Sequence, residues 1–121
     1  MTRLLVAFLV LTLAACGDDA GTTIDPNSLD GEAVYQEACI ACHGRDGEGI
    51  EGFGRPLAQS EYIASKTDEE IFDVIVEGRS ANDPENTSGV AMAPRGGFPD
   101  LSDAEVRTVI TYLRTLQAPG G

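Results

Sequence analysis

The chain has 121 residues, of which 20 are acidic, 8 basic and one histidine, giving a formal net charge of −12 at neutral pH. That balance excludes nucleic acid as a partner, because a phosphate backbone requires a basic surface. The length, a 42% hydrophobic composition and the absence of tryptophan leave room for one small domain with a modest core.

Residues 1–15 read as a removable export signal. Arg3 supplies a positive start, and residues 4–13 are apolar apart from Thr12, a run shorter than the roughly 20 residues of a membrane span. It ends in Leu13, Ala14, Ala15 and Cys16, which resembles the lipobox of bacterial lipoproteins, whose cysteine is acylated at sulfur and becomes the first mature residue. The resemblance implies lipidation at Cys16 and a protein tethered to a membrane at its periplasmic face, inner or outer. The alternative, an ordinary signal peptide followed by an incidental cysteine, leaves a free thiol in an exported protein without a role. Removing Arg3 with the signal leaves 7 basic against 20 acidic groups, or −13. Such acidity either keeps an exported protein soluble or steers it toward a basic docking surface on a partner.

Residues 17–29 are mostly Gly, Asp, Thr, Pro, Asn and Ser, a linker composition that spans about 20 Å as a flexible coil. Residues 16–29 are thus a lipid-bearing tether, residues 30–118 the folded domain, and residues 119–121 a tail.

The domain opens with Asp30 as a helix N-cap and Glu32 in the first turn, where a negative charge complements the helix dipole. This helix runs into Cys39, Ile40, Ala41, Cys42 and His43, the CxxCH signature of covalent c-type haem attachment. The spacing lets each thiol add to one haem vinyl group while the adjacent imidazole meets the iron. Zinc binding would need a second ligand pair, yet His43 is the sole histidine, and outside the motif only Cys16 remains. A redox dithiol would sit in an α/β pattern, and no strand ladder follows.

Gly44, Gly47, Gly49, Gly52 and Gly54 then mark a loop without the Lys and Ser or Thr of a phosphate cradle. Arg55, Pro56 and Leu57 close it, and a short helical piece covers residues 61–65. Thr67 and Glu70 form a capping box for the next helix, with Ile71, Val74 and Ile75 at helical spacing and Gly78 as its stop. Residues 79–98, broken by Pro84, Gly89, Pro94, Gly96 and Gly97, make a long loop of the kind that carries function in small domains. Within it Asn86, Thr87 and Ser88 match a glycosylation sequon, a pattern frequent by chance. The last helix begins with a capping box of Ser102 and Glu105, followed by Val106, Val109, Ile110 and Leu113.

Three main helices, a CxxCH at the end of the first and a methionine in the second long loop resemble the class I cytochromes c over residues 30–116. The resemblance implies an all-α fold wrapped around one covalent haem c, attached at Cys39 and Cys42. It implies iron held by His43 and by a methionine before the last helix. Of the two methionines, Met1 lies in the signal, which leaves Met92. The family usually has proline directly after this methionine; here Ala93 precedes Pro94. The resemblance further implies that the Pro56 carbonyl accepts the His43 Nδ1 hydrogen, that Gly31 and Tyr35 cross Val109 and Tyr112, and that Tyr62 or Arg55 reaches a haem propionate. A His/Met pair is the electron-transfer arrangement. The expected function is therefore single-electron transfer between exported or membrane redox partner proteins, not catalysis. The rivals are a haem enzyme or gas or peroxide sensor with a displaceable distal ligand, and a dedicated cytochrome subunit of an oxidase or dehydrogenase.

Overall fold

The computed structural model describes residues 30–117. The signal, Cys16, the linker and the tail lie outside the described residues.

Five helices follow in order: α1 Gly31–Ala38, α2 Ile40–His43, α3 Glu61–Ser65, α4 Asp68–Glu77 and α5 Asp103–Thr115, with a 3-10 turn at Pro94–Gly97 before α5. Among the described residues the only bridges are isolated pairs, Ile50 with Gly54 and Arg79 with Met92, so the fold is all-α. No helix among these residues is long and apolar enough to cross a membrane.

The helix starts follow from local chemistry. Asp30 accepts from the Glu32 amide at 3.0 Å, and both capping boxes form, Thr67 with Glu70 and Ser102 with Glu105. The cap bonds hold the Glu70 and Glu105 carboxyls below the usual carboxylate range. The first helix stops at Ala38, one residue before the expected motif, because Cys39 takes a looser backbone (φ −117°) before α2 resumes.

The apolar faces of α1, α4 and α5 meet in one core that includes Val34, Tyr35, Ile71, Val106, Val109 and Leu113. Gly31 lets α1 cross α5 closely: a Cβ there would lie 1.9 Å from the Thr108 carbonyl oxygen. Beside that crossing Tyr35 and Tyr112 pack with ring centroids 5.3 Å apart.

Two side chains near the end of α5 fix the loops. Arg114 donates to the Ile63 and Lys66 carbonyls, both at 2.6 Å, and to Asp68, which adds a partner for carbonyls at the end of α3, where intrahelical donors run out. Gln117 donates to the Leu57 carbonyl at 2.6 Å and accepts from the Ser60 amide at 2.7 Å. The segment after the CxxCH turn is thereby held onto the core.

Candidate haem-binding site

The single turn of α2 presents the motif. The Cys42 and His43 amides both donate to the Cys39 carbonyl, at 3.3 and 3.0 Å, and both cysteines are free thiols, Cys39 half-buried and Cys42 exposed. Burial, reinforced by the neighbouring Cys42, pushes the Cys39 thiol up to about 12. A reactive thiol of a redox dithiol is shifted the other way.

The glycine-rich loop packs beneath this turn. A Cβ on Gly54 would come within 1.9 Å of the Cys42 carbonyl oxygen, and the Gly49 amide donates to the His43 carbonyl at 2.7 Å. That packing brings a backbone acceptor to the imidazole: His43 Nδ1 donates to the Arg55 carbonyl at 2.9 Å. The expectation for Pro56 is corrected by one residue. Proline disfavours the helical conformation in its predecessor and biases it toward extended backbone, so Pro56 helps to orient the Arg55 carbonyl instead of accepting the bond itself. With Nδ1 occupied, Nε2 is the nitrogen left for a metal. Burial lowers the His43 pKa, which favours the neutral ring a metal needs.

Cys42 and Met92 line one cleft, walled by core side chains such as Leu57, Ile71 and Leu113. Cys39 and His43 belong to the same turn as Cys42 without lining the cleft. Met92, half-buried, is held by a reciprocal backbone pair with Arg79: the Arg79 amide donates to the Met92 carbonyl at 2.9 Å, and the Met92 amide to the Arg79 carbonyl at 2.8 Å. Ala93 stays extended at φ −65° and ψ 147° before the turn begins at Pro94. The extra residue between methionine and proline is absorbed there. Asn86 braces the middle of the loop, donating to the Ser80 and Val90 carbonyls and accepting from the Ser88 and Gly89 amides. Its amide is committed inside the fold, which gives the sequon match no support.

Arg55 and Tyr62 reach the same cleft, the Arg55 guanidinium stacked 4.0 Å over the Tyr62 ring and bonded to the Glu85 carbonyl. Arg79 joins them, donating to the Tyr62 hydroxyl at 2.6 Å. Sequence reasoning missed Arg79, because a lone arginine after a helix stop carries no local mark of what it will meet.

Comparison with known proteins gives the same class. The Cytochrome c family model matches residues 28–117, and the chain belongs to the cytochrome c family. It is 33% identical to cytochrome c-551 of Bacillus subtilis (strain 168), over 69% of this chain and 79% of that protein. It is 30% identical to the Cbb3-type cytochrome c oxidase subunit CcoP of Rhodobacter capsulatus over 71% of this chain, but spans only 28% of that longer protein. It is 29% identical to the cytochrome c subunit of the quinone alcohol dehydrogenase of Gluconacetobacter polyoxogenes, spanning 20% of it. Among solved structures, the KustC0563 c-type cytochrome aligns with a TM-score of 0.50 and 25% identity over 73% of this chain and 98% of that one. The protein is thus a monohaem c-type cytochrome that carries electrons through a covalently bound haem c.

The residues present fit that group. The free thiols of CxxCH, a neutral imidazole with one nitrogen already fixed and a mainly apolar cleft containing Met92 supply the attachments and donors it needs.

Proposed function

We propose that this cytochrome is a lipid-tethered single-electron carrier in which Cys39 and Cys42 hold the haem, and His43 and Met92 both ligate its iron. The haem supplies a one-electron couple. The chain's residues set its surroundings. The Arg55 carbonyl fixes the His43 tautomer and raises its basicity. Met92 brings a thioether, a ligand that raises the potential of a His-ligated haem, and occupies the position an enzyme would leave for substrate. Tyr62 and Arg55, which line the cleft, would supply donors to a haem propionate. The observation that carries this reading is the backbone pair between Arg79 and Met92, which delivers the methionine to the cleft lined by Cys42.

Met92→Ala is expected to abolish the weak far-red methionine-to-iron charge-transfer band of the ferric protein and to let carbon monoxide bind rapidly to the ferrous form. An unchanged low-spin spectrum in the variant would overturn the ligand assignment. Rapid carbon monoxide binding to the parent would favour the enzyme or sensor reading.

Residues 1–15 act as the export signal, Cys16 bears the lipid and residues 17–29 let the domain reorient above the membrane surface. Two or three acyl chains hold firmly, since each buried methylene contributes about 0.8 kcal/mol. Cys16→Ser is therefore expected to move the exported protein from the membrane fraction to the soluble one; retention in membranes would sink the anchor.

Exposed Ile50 and Phe53 sit on the tight turn packed against Cys42, flanked by exposed Glu48 and Glu51. An apolar centre with an acidic rim suits a basic docking surface on a redox partner protein. A second reading, a cytochrome subunit of an oxidase or dehydrogenase complex, draws on the relatives that are such subunits. Co-purification of one large partner from solubilised membranes distinguishes it from a free carrier.

A further inference from the structure

We propose that Arg79 is the positioning residue that keeps Met92 seated in the cleft and so keeps outside ligands from the iron; this rests on Met92 being an axial ligand. Arg79 holds the methionine in two ways. Its backbone makes both bonds of the pair with Met92. Its side chain, only 10% exposed, is anchored by donating to the Tyr62 hydroxyl on α3 at 2.6 Å and to the Glu85 carboxylate at 3.2 Å. Glu85 lies inside the loop that the Arg79–Met92 pair closes. The guanidinium therefore ties the loop both to itself and to the core.

The approach of the two segments is tight as well as bonded. Gly78, at φ 74°, would carry a Cβ only 2.4 Å from the Met92 carbonyl oxygen, so the backbone beside Arg79 is pressed against the methionine segment. Glu85 is in turn paired with Lys66 at 2.9 Å, which joins the loop to the end of α3. Charge-assisted bonds of this kind are about twice as strong as neutral ones. Their removal also leaves the Tyr62 hydroxyl, in the cleft, without its donor. The backbone pair limits how far the segment that carries Met92 can move away from the cleft. The side-chain anchors make Arg79 an immobile partner for it.

The test is imidazole binding to the ferric holoprotein, followed by the shift of the main haem absorption band, and also by loss of the methionine-to-iron band where Met92 is kept, in the parent and in Met92→Ala, Arg79→Gln, Glu85→Gln and Arg107→Gln. Arg107 pairs with Glu69 on the surface, where the two side chains are 51% and 70% exposed, and stacks 4.3 Å over the Phe72 ring, away from Met92, so its replacement controls for the loss of an arginine elsewhere in the fold. Arg79→Gln is expected to bind imidazole on the order of tenfold more tightly and faster, with Glu85→Gln moving the same way by less and Arg107→Gln matching the parent. An Arg79→Gln affinity within about twofold of the parent, or an equal change in Arg107→Gln, overturns the proposal. Should Arg79→Gln yield no folded holoprotein, Glu85→Gln decides, and a parental affinity there overturns it. If Met92→Ala takes up imidazole no more readily than the parent, it is the ligand assignment that fails, whatever Arg79→Gln does.

Discussion

A chain made without haem, with Cys39 and Cys42 both replaced by alanine, is expected to lose most of its far-UV helical signal and to show no cooperative melt. The reason lies in how the core is shared. The apolar residues that line the cleft but stay uncovered by the protein are Phe53 and Val90, which are exposed, and Tyr62, Val74, Ile75 and Met92, which are half-buried, so each relies on the haem for part of its covering. Fully burying such a side chain contributes about 1.5–3 kcal/mol, and losing part of that at six positions is comparable with the 5–15 kcal/mol that holds a typical domain together. Nothing else compensates. No tryptophan fills the gap, the described cysteines form no disulfide, and α2 and α3 are too short to persist alone. A native-like, cooperative melt of the haem-free chain would show that the helices pack adequately by themselves.

Gly31→Ala should be severe for a different reason. The Cβ it adds would lie 1.9 Å from the Thr108 oxygen and 2.5 Å from the Thr108 carbonyl carbon. Both belong to the backbone of α5, so no side-chain rotation relieves the overlap and the two helices must part. Parting them loosens Tyr35 and Val34, among the most completely buried side chains, and disturbs the tilted packing of Tyr35 against Tyr112. Alanine's better helix propensity offsets at most about 1 kcal/mol, whereas overpacking typically costs 1–3 kcal/mol and more where backbone must move. A fall in the urea midpoint of the holoprotein with an unchanged slope is the expected result. A midpoint equal to the parent's would mean that the crossing has slack the distances deny.

Two glycines, Gly31 at the α1–α5 crossing and Gly54 beneath the haem motif, illustrate how unevenly the fold is written in the chain. The close crossing at Gly31 was implied by the family resemblance, since a glycine so near a helix start can also simply be tolerated. Gly54 was one of several loop glycines, yet it is the one pressed against the Cys42 carbonyl. No feature of its neighbours singles it out. The same holds for the imidazole's partner. Every residue carries a carbonyl, so which one meets His43 depends on how the loop packs, and the expectation fell on Pro56 while Arg55 accepts the bond.

By itself the sequence determined whatever is governed by near neighbours. The caps at Asp30, Thr67 and Ser102 set where three helices begin, the spacing of Cys39, Cys42 and His43 named the cofactor, and the scarcity of methionine and histidine narrowed the candidate iron ligands. These signals act over a turn of helix or a few bonds, where local chemistry dominates. Only the tertiary structure decided that Arg79 pairs with Met92, that its guanidinium reaches Tyr62 and Glu85, and that Arg55 supplies the acceptor for His43. Those contacts join residues brought together by packing α1, α4 and α5 around the cleft, and a contact set by packing leaves no period or motif in the chain.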